Sequence, residues 1–131
     1  MSRRKSQQPT DTELAILQVL WSRGPGTVRE VHEALSASRD VGYTTTLKLL
    51  QIMHEKGLVR RDESQRTHRY TAVLSEESTQ GRIVRDLIDR VFGGSARALL
   101  QRALAARPAS RKELNQIRKV LDEFEEKEGS R

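Results

Sequence analysis

Thr44, Thr45 and Lys48 stand at positions i, i+1 and i+4 of a stretch with helical patterning, which puts two hydroxyls and an ammonium on one face. Such side chains can bond base edges or phosphates, lay a methyl against thymine, or reach a guanine. A second group follows: Arg60, Arg61, Arg66, His68 and Arg69, with Asp62 and Glu63 offsetting part of its charge. Arginines at a polar turn suit a segment that grips a phosphate backbone or enters a minor groove. Arg66, nearest the tip, is the strongest candidate, while Arg60, Arg61 and Arg69 are open to pairing with carboxylates nearby. Taken singly, each of these side chains is an ordinary solvated residue. Their order along the chain is what lifts a nucleic-acid reading above that.

Other chemistry is poorly represented. His32, His54 and His68 fall in different elements without metal-ligand spacing, and the 131 residues include no cysteine. A disulfide framework, a thiolate zinc site and a cysteine nucleophile are thereby excluded. No nucleophile elbow, phosphate loop or paired-carboxylate motif is present, so no catalytic residue, cofactor or metal is expected. Tyr70 reads as inward-facing, and without an aromatic platform single-strand and RNA stacking modules are disfavoured.

The elements that would position these residues can be read from caps and periodicity. Residues 1 to 9 form a polar, basic arm able to touch phosphates. Thr10 or Asp11 caps a first helix carrying Leu14, Leu17, Leu20 and Trp21, which stops at Gly24-Pro25-Gly26. Thr27 with Glu30 predicts a capping box for a short second helix, with Val28, Val31, Ala34 and Leu35 inward. After a loop from Ser36 to Gly42, a third helix runs from about Tyr43 to Lys56 and stops at Gly57. A helical wheel puts Tyr43, Thr46, Leu47, Leu50, Met53 and His54 on its core face. Thr44, Thr45, Lys48, Gln51, Ile52 and Glu55 fall on the other. Val59 to Glu63 and His68 to Val73 make a hairpin with Tyr70 and Val73 as apolar anchors.

Helical patterning resumes at Ser75. Ile83, Val84, Leu87, Ile88 and Val91 mark a fourth helix broken at Gly93-Gly94, and Leu99, Leu100, Ala103 and Leu104 a fifth broken at Pro108. Ser110 with Glu113 opens a sixth, whose Leu114, Ile117, Leu121 and Phe124 follow i, i+3, i+7, i+10. Three amphipathic stripes in some fifty residues hold too little apolar material for a separate core. A symmetric partner chain solves this, with Leu87, Val91, Leu100, Leu114, Ile117, Leu121 and Phe124 as dimerisation residues; packing among the same chain's helices is the alternative.

Charge agrees without deciding. The formal net charge is +6, with 12 basic against 8 acidic groups over residues 1–74 and 12 against 10 beyond. A polyanion partner fits, and so does a solvated basic surface. No apolar run approaches the roughly 20 residues that span a bilayer, and no secretory signal is evident, so a cytoplasmic location without membrane attachment is expected. The fold class expected is mostly α: an N-terminal winged helix-turn-helix over residues 10–73, with three helices and a hairpin wing, and a C-terminal three-helix dimerisation domain over 75–128.

The stretches ELAILQVLWSRGPGTVREVHEAL, YTTTLKLLQIMHEKGLVRRDE and HRYTA resemble the penicillinase-repressor family of winged-helix repressors. The specific parts are Trp21, the run Tyr43-Thr44-Thr45, the exit Lys56-Gly57-Leu58-Val59, and Tyr70. The resemblance implies a homodimer that binds double-stranded DNA at an inverted-repeat operator, typically with TACA-type half-sites, and represses transcription. Tyr43, Thr44, Thr45, Lys48, Arg66 and His68 are the DNA-binding residues on this reading. It also implies a regulatory protease as partner, although the family's Asn-Phe cleavage bond aligns with Arg102-Ala103 here. Copper-responsive relatives carry C-terminal cysteines that this chain lacks. The competing reading is a winged-helix protein-interaction module without sequence-specific DNA binding, since fold does not settle function.

Overall fold

The computed structural model describes residues 8–129, so most of the N-terminal arm, residues 1–7, lies outside the described residues. The elements run α1 (Asp11–Arg23), α2 (Val28–Leu35), α3 (Tyr43–Lys56), β1 (Val59–Asp62), β2 (Arg69–Ala72), α4 (Glu76–Val91), α5 (Ala96–Ala106) and α6 (Arg111–Gly129). The architecture is mostly α, a winged helix followed by helices. Two compact units divide inside α4, between Val84 and Arg85.

Local chemistry explains where the first helices begin and end. Thr10 caps α1 and Thr27 caps α2, each with the reciprocal bond from the third helical residue, Glu13 or Glu30. Helix α3 ends at Gly57, whose φ of 82° is open to glycine at little cost. Ile16, Leu17 and Leu20 of α1, Val31 and Leu35 of α2, and Leu50 and Met53 of α3 close the core with Val59 and Tyr70. Burying each aliphatic member contributes about 1.5–3 kcal/mol.

The hairpin pairs antiparallel, with Val59 opposite Ala72 and Arg61 opposite Tyr70. A third, one-residue strand joins it at Gly26. Its N–H donates to the Tyr70 carbonyl at 3.1 Å, and the Tyr70 N–H donates back at 2.8 Å. The indole N–H of Trp21 donates to the Leu74 carbonyl at 3.0 Å and ties α1 to the hairpin's exit.

Three apolar expectations shift. Ile16, not Leu14 or Trp21, is the most buried residue of α1, those two being only partly covered. Tyr43, the first residue of α3, lies 48% exposed with its ring beside that of His32, and burial on this face begins at Thr46. Val73 is exposed: strand alternation puts Tyr70 and Ala72 inward, and Val73 is out of phase with them.

The second unit has a different character. Helices α5 and α6 bury no residue, and α4, α5 and α6 make at most slight contact with one another. Val91, Val120, Leu121 and Phe124 are exposed. Among the described residues, packing leaves this apolar surface exposed.

One buried ion pair bridges the first unit. Glu13, 2% exposed, accepts from the Thr10 N–H at 3.0 Å and from Lys56 Nζ at 2.8 Å, joining the start of α1 to the end of α3. Glu13→Ala removes both and leaves the ammonium unmatched, so it should lower unfolding stability by about 1–3 kcal/mol. Glu13→Gln, which keeps an acceptor for Thr10, should cost less. Urea denaturation checks both, and equal midpoints for wild type and Glu13→Ala would remove the role given to this carboxylate.

Candidate nucleic-acid interface

Helix α3 begins differently from α1 and α2. Gly42 is its N-cap, no side chain bonds to its first N–H groups, and its first turn carries no acidic residue. The Thr46 hydroxyl, which could have served locally, instead donates back to the Gly42 carbonyl at 3.0 Å. The positive end of the helix dipole therefore meets solvent without a carboxylate over it, a favourable place for an anion. Thr44, Thr45, Lys48, Gln51 and Glu55 are all exposed along this helix, whereas Ile52 is half-buried.

Tyr43 sets its ring 5.8 Å from that of His32 on α2, tilted by 31°. It opens onto a cleft where the start of α2, helix α3 and the hairpin meet, lined by Arg29, Tyr43, Gln51, Arg61, Arg66 and His68 among others. The structure thus brings Tyr43, Arg66 and His68 together. Thr44, Thr45 and Lys48 stand apart on the exposed face of α3. Arg29 and Gln51 also reach the cleft; nothing in the local sequence marks Arg29, because its proximity to the wing arises from the long-range Gly26–Tyr70 pairing.

The wing arginines divide by their partners. Arg61 Nε donates to Glu63 at 2.6 Å, and Arg69 donates to the Pro25 carbonyl at 3.1 Å and to Glu30 at 3.3 Å. Arg60 and Arg66 are exposed and make no ion pair among the described residues, nor does Lys48. At the turn, the Asp62 carboxylate accepts from the Ser64 N–H at 3.0 Å. That bond holds the Asp62 carboxyl below its usual range. Arg61 does the same to Glu63, and Glu63 in turn raises the Arg61 guanidinium.

The dimerisation residues expected from the sequence all lie at the surface to some degree. Leu87, Val91, Leu121 and Phe124 are exposed, and Leu100, Leu114 and Ile117 are half-buried. Val120, 48% exposed, belongs with them and escaped the heptad reading because it stands beside the seam rather than in it. Among the described residues no cluster of three or more metal-ligating side chains occurs, and no helix is long and apolar enough to cross a membrane.

A family model described as penicillinase repressor matches residues 9–123. The transcriptional regulator BlaI of Mycobacterium tuberculosis, in the CDC 1551 / Oshkosh and H37Rv strains, is 40% identical over 123 residues, covering 92% of this chain and 88% of its own. Among solved structures, a MarR family protein from Bacillus stearothermophilus superposes with a TM-score of 0.50 at 20% identity, over 98% of this chain and 84% of that one. The YusO protein of Bacillus subtilis gives 0.51 at 16% identity, over 95% and 80%. These two likenesses bear on fold alone.

The wing pair has a titration consequence. Because the Glu63 carboxyl is held low, the Arg61–Glu63 pairing persists above the usual carboxylate range and is lost as pH falls through the lowered value. In Arg61→Ala the Glu63 carboxyl should titrate at higher pH than in the wild type. Carboxyl carbon NMR shifts against pH read this directly, and an unmoved midpoint would assign the lowering to another group.

Proposed function

The chain belongs to the penicillinase repressor family, whose members are transcriptional regulators rather than enzymes, and on that premise we propose that it is a homodimer repressing transcription from an inverted-repeat operator. Residues 10–73 dock on double-stranded DNA and residues 75–128 hold the dimer. The observation that carries this reading is the start of α3. Its N–H groups, two threonines and a lysine all face water on a helix whose opposite side is fixed in the core.

The chemistry follows from placement. Thr44 and Thr45 read base edges or bond phosphates, and Lys48 reaches a guanine or a phosphate beside them. Tyr43 and His68 contact the duplex from the cleft, and Arg66 at the wing grips the backbone or enters the minor groove. Arg61 and Arg69, already engaged by Glu63 and Glu30, contribute less. Glu55, two turns along α3 from Lys48, lies past the phosphates. Two such surfaces related by a twofold axis match two half-sites. A regulator of this kind works in the cytoplasm, where the DNA is. The regulatory protease implied by the family resemblance has no recognisable cleavage bond at Arg102-Ala103 to act on.

Lys48→Ala and Arg66→Ala should each weaken operator binding at moderate salt while leaving the fold intact. If each side chain neutralises one phosphate, the slope of log affinity against log salt should become shallower by about 0.9 per subunit affected. Gel retardation or fluorescence anisotropy on the chain's own promoter region, with circular dichroism as the control for folding, tests this. Unchanged affinity in both variants would overturn the assignment, and absence of sequence-selective retardation at any salt would favour a protein-interaction module instead.

A further inference from the structure

Both imidazole nitrogens of His32 on α2 are shut away from solvent, and neither has a hydrogen-bond partner among the described residues. Leaving buried nitrogens unbonded costs stability that an apolar ring in the same place would not incur. Buried polar groups are nearly always paired, so an exception calls for a reason. An ion pair does not supply one, because His32 enters none among the described residues. Its one aromatic neighbour among them is Tyr43, with ring centroids 5.8 Å apart and planes tilted by 31°, inside the range over which aromatic rings attract.

Tyr43 has particular need of such a neighbour. Long side chains of a helix lie back over the turn N-terminal to them, but Tyr43 is the first residue of α3 and follows Gly42, which offers no side chain. Its own helix therefore gives the ring nothing to rest on. Leu47, one turn later on α3, and Val28, one turn before His32 on α2, line the cleft together with Tyr43, whereas His32 does not. The imidazole thus backs the phenol ring from outside the cleft that Arg29, Arg66 and His68 line.

Resting on the reading of Tyr43 as a DNA contact, we propose that His32 is a positioning residue, whose ring packs against Tyr43 and holds it toward the cleft before the duplex arrives. Packing alone does this, since the nitrogens bond to nothing among the described residues. A ring already held in one rotamer loses less freedom on binding, and that saving corresponds to about 2- to 10-fold in affinity for each side chain held. An unsupported ring would have to be ordered by the DNA itself. His32 touches no base or phosphate in this role and acts through Tyr43.

Two readouts test this, the first without DNA. Three-bond couplings in NMR report the Tyr43 χ1 angle: wild type and His32→Phe should show one dominant rotamer, and His32→Ala an average over several. A single rotamer retained in His32→Ala overturns the proposal, as does averaging in His32→Phe. The second readout is fluorescence anisotropy on the chain's own promoter region. His32→Ala should weaken binding about 2- to 10-fold per half-site, His32→Phe should bind within about 2-fold of wild type, and His32→Ala added to Tyr43→Ala should cost nothing further. Losses that multiply in the double variant overturn the proposal, because His32 then acts through the packing of α2 on α3 and not through Tyr43. Wild-type affinity in His32→Ala overturns it too when Tyr43→Ala binds weakly. Wild-type affinity in Tyr43→Ala instead removes the DNA-contact reading of Tyr43, and the rotamer readout alone then decides whether His32 positions the ring.

Discussion

Tyr70 is where the hairpin is fixed to the rest of the first unit. Its ring is buried among residues of the core, while its N–H and carbonyl are both taken by Gly26 in the turn between α1 and α2. The hairpin therefore cannot slide along the helices without breaking two backbone bonds and exposing an aromatic ring. Each such bond is worth about 0.5–1.5 kcal/mol net, and a one-residue slip would turn Tyr70 outward. Arg69, the residue before it, adds a clamp from the other strand face to Pro25 and Glu30. The cleft that gathers Tyr43, Arg66 and His68 exists because this one junction holds α2, α3 and the wing in register.

The division between paired and unpaired charge gives that surface its character. Glu13 and Glu30 each cap a helix and also engage a distant cation, Lys56 and Arg69 respectively. These two carboxylates are thus occupied with holding the fold, and the first turn of α3 carries none. Net charge alone could not have shown this, since a balance of +6 is compatible with arginines that are all internally matched. Lys48 and Arg66, like Arg60, are exposed and make no ion pair among the described residues, so none has a carboxylate to give up before it meets an anion. Arg61 would have to leave Glu63 first, which makes it a weaker contributor despite lining the same cleft.

Features written in neighbouring residues were legible in the sequence. Thr10 with Glu13, Thr27 with Glu30 and Gly57 mark helix ends through bonds spanning three or four residues, and each falls where the spacing put it. Polar tip and alternating strands located the hairpin to within a residue or so. Features decided at long range were not legible. The Gly26 strand is one residue long and carries no alternation. Arg29 reaches the wing only through that pairing, and Tyr43 leaves the core because its helix begins before the core does. The wheel that placed Tyr43 inside was correct for Leu50 and Met53 on the same face, so its error lay in assuming that the core extends the full length of α3.

The second unit turns the same reasoning around, because there the sequence pattern was clear and the single chain leaves it unused. Among the described residues the stripes along α4, α5 and α6 meet no partner sufficient to bury them, so association is the step that would give these helices a core. Stability of the unit then depends on protomer concentration, as for any protein whose folded form is stabilised by binding a copy of itself. On the homodimer reading proposed above, DNA affinity would inherit the same dependence: a dimer would present both surfaces at once, and once one is bound the other would be held at high local concentration over its half-site. On that reading, a signal that weakened the helical unit would release DNA without touching the proposed contacts Thr44, Lys48 and Arg66. In the proposed dimer, control and recognition sit on separate parts of the chain, linked by concentration rather than by any change in the recognition helix.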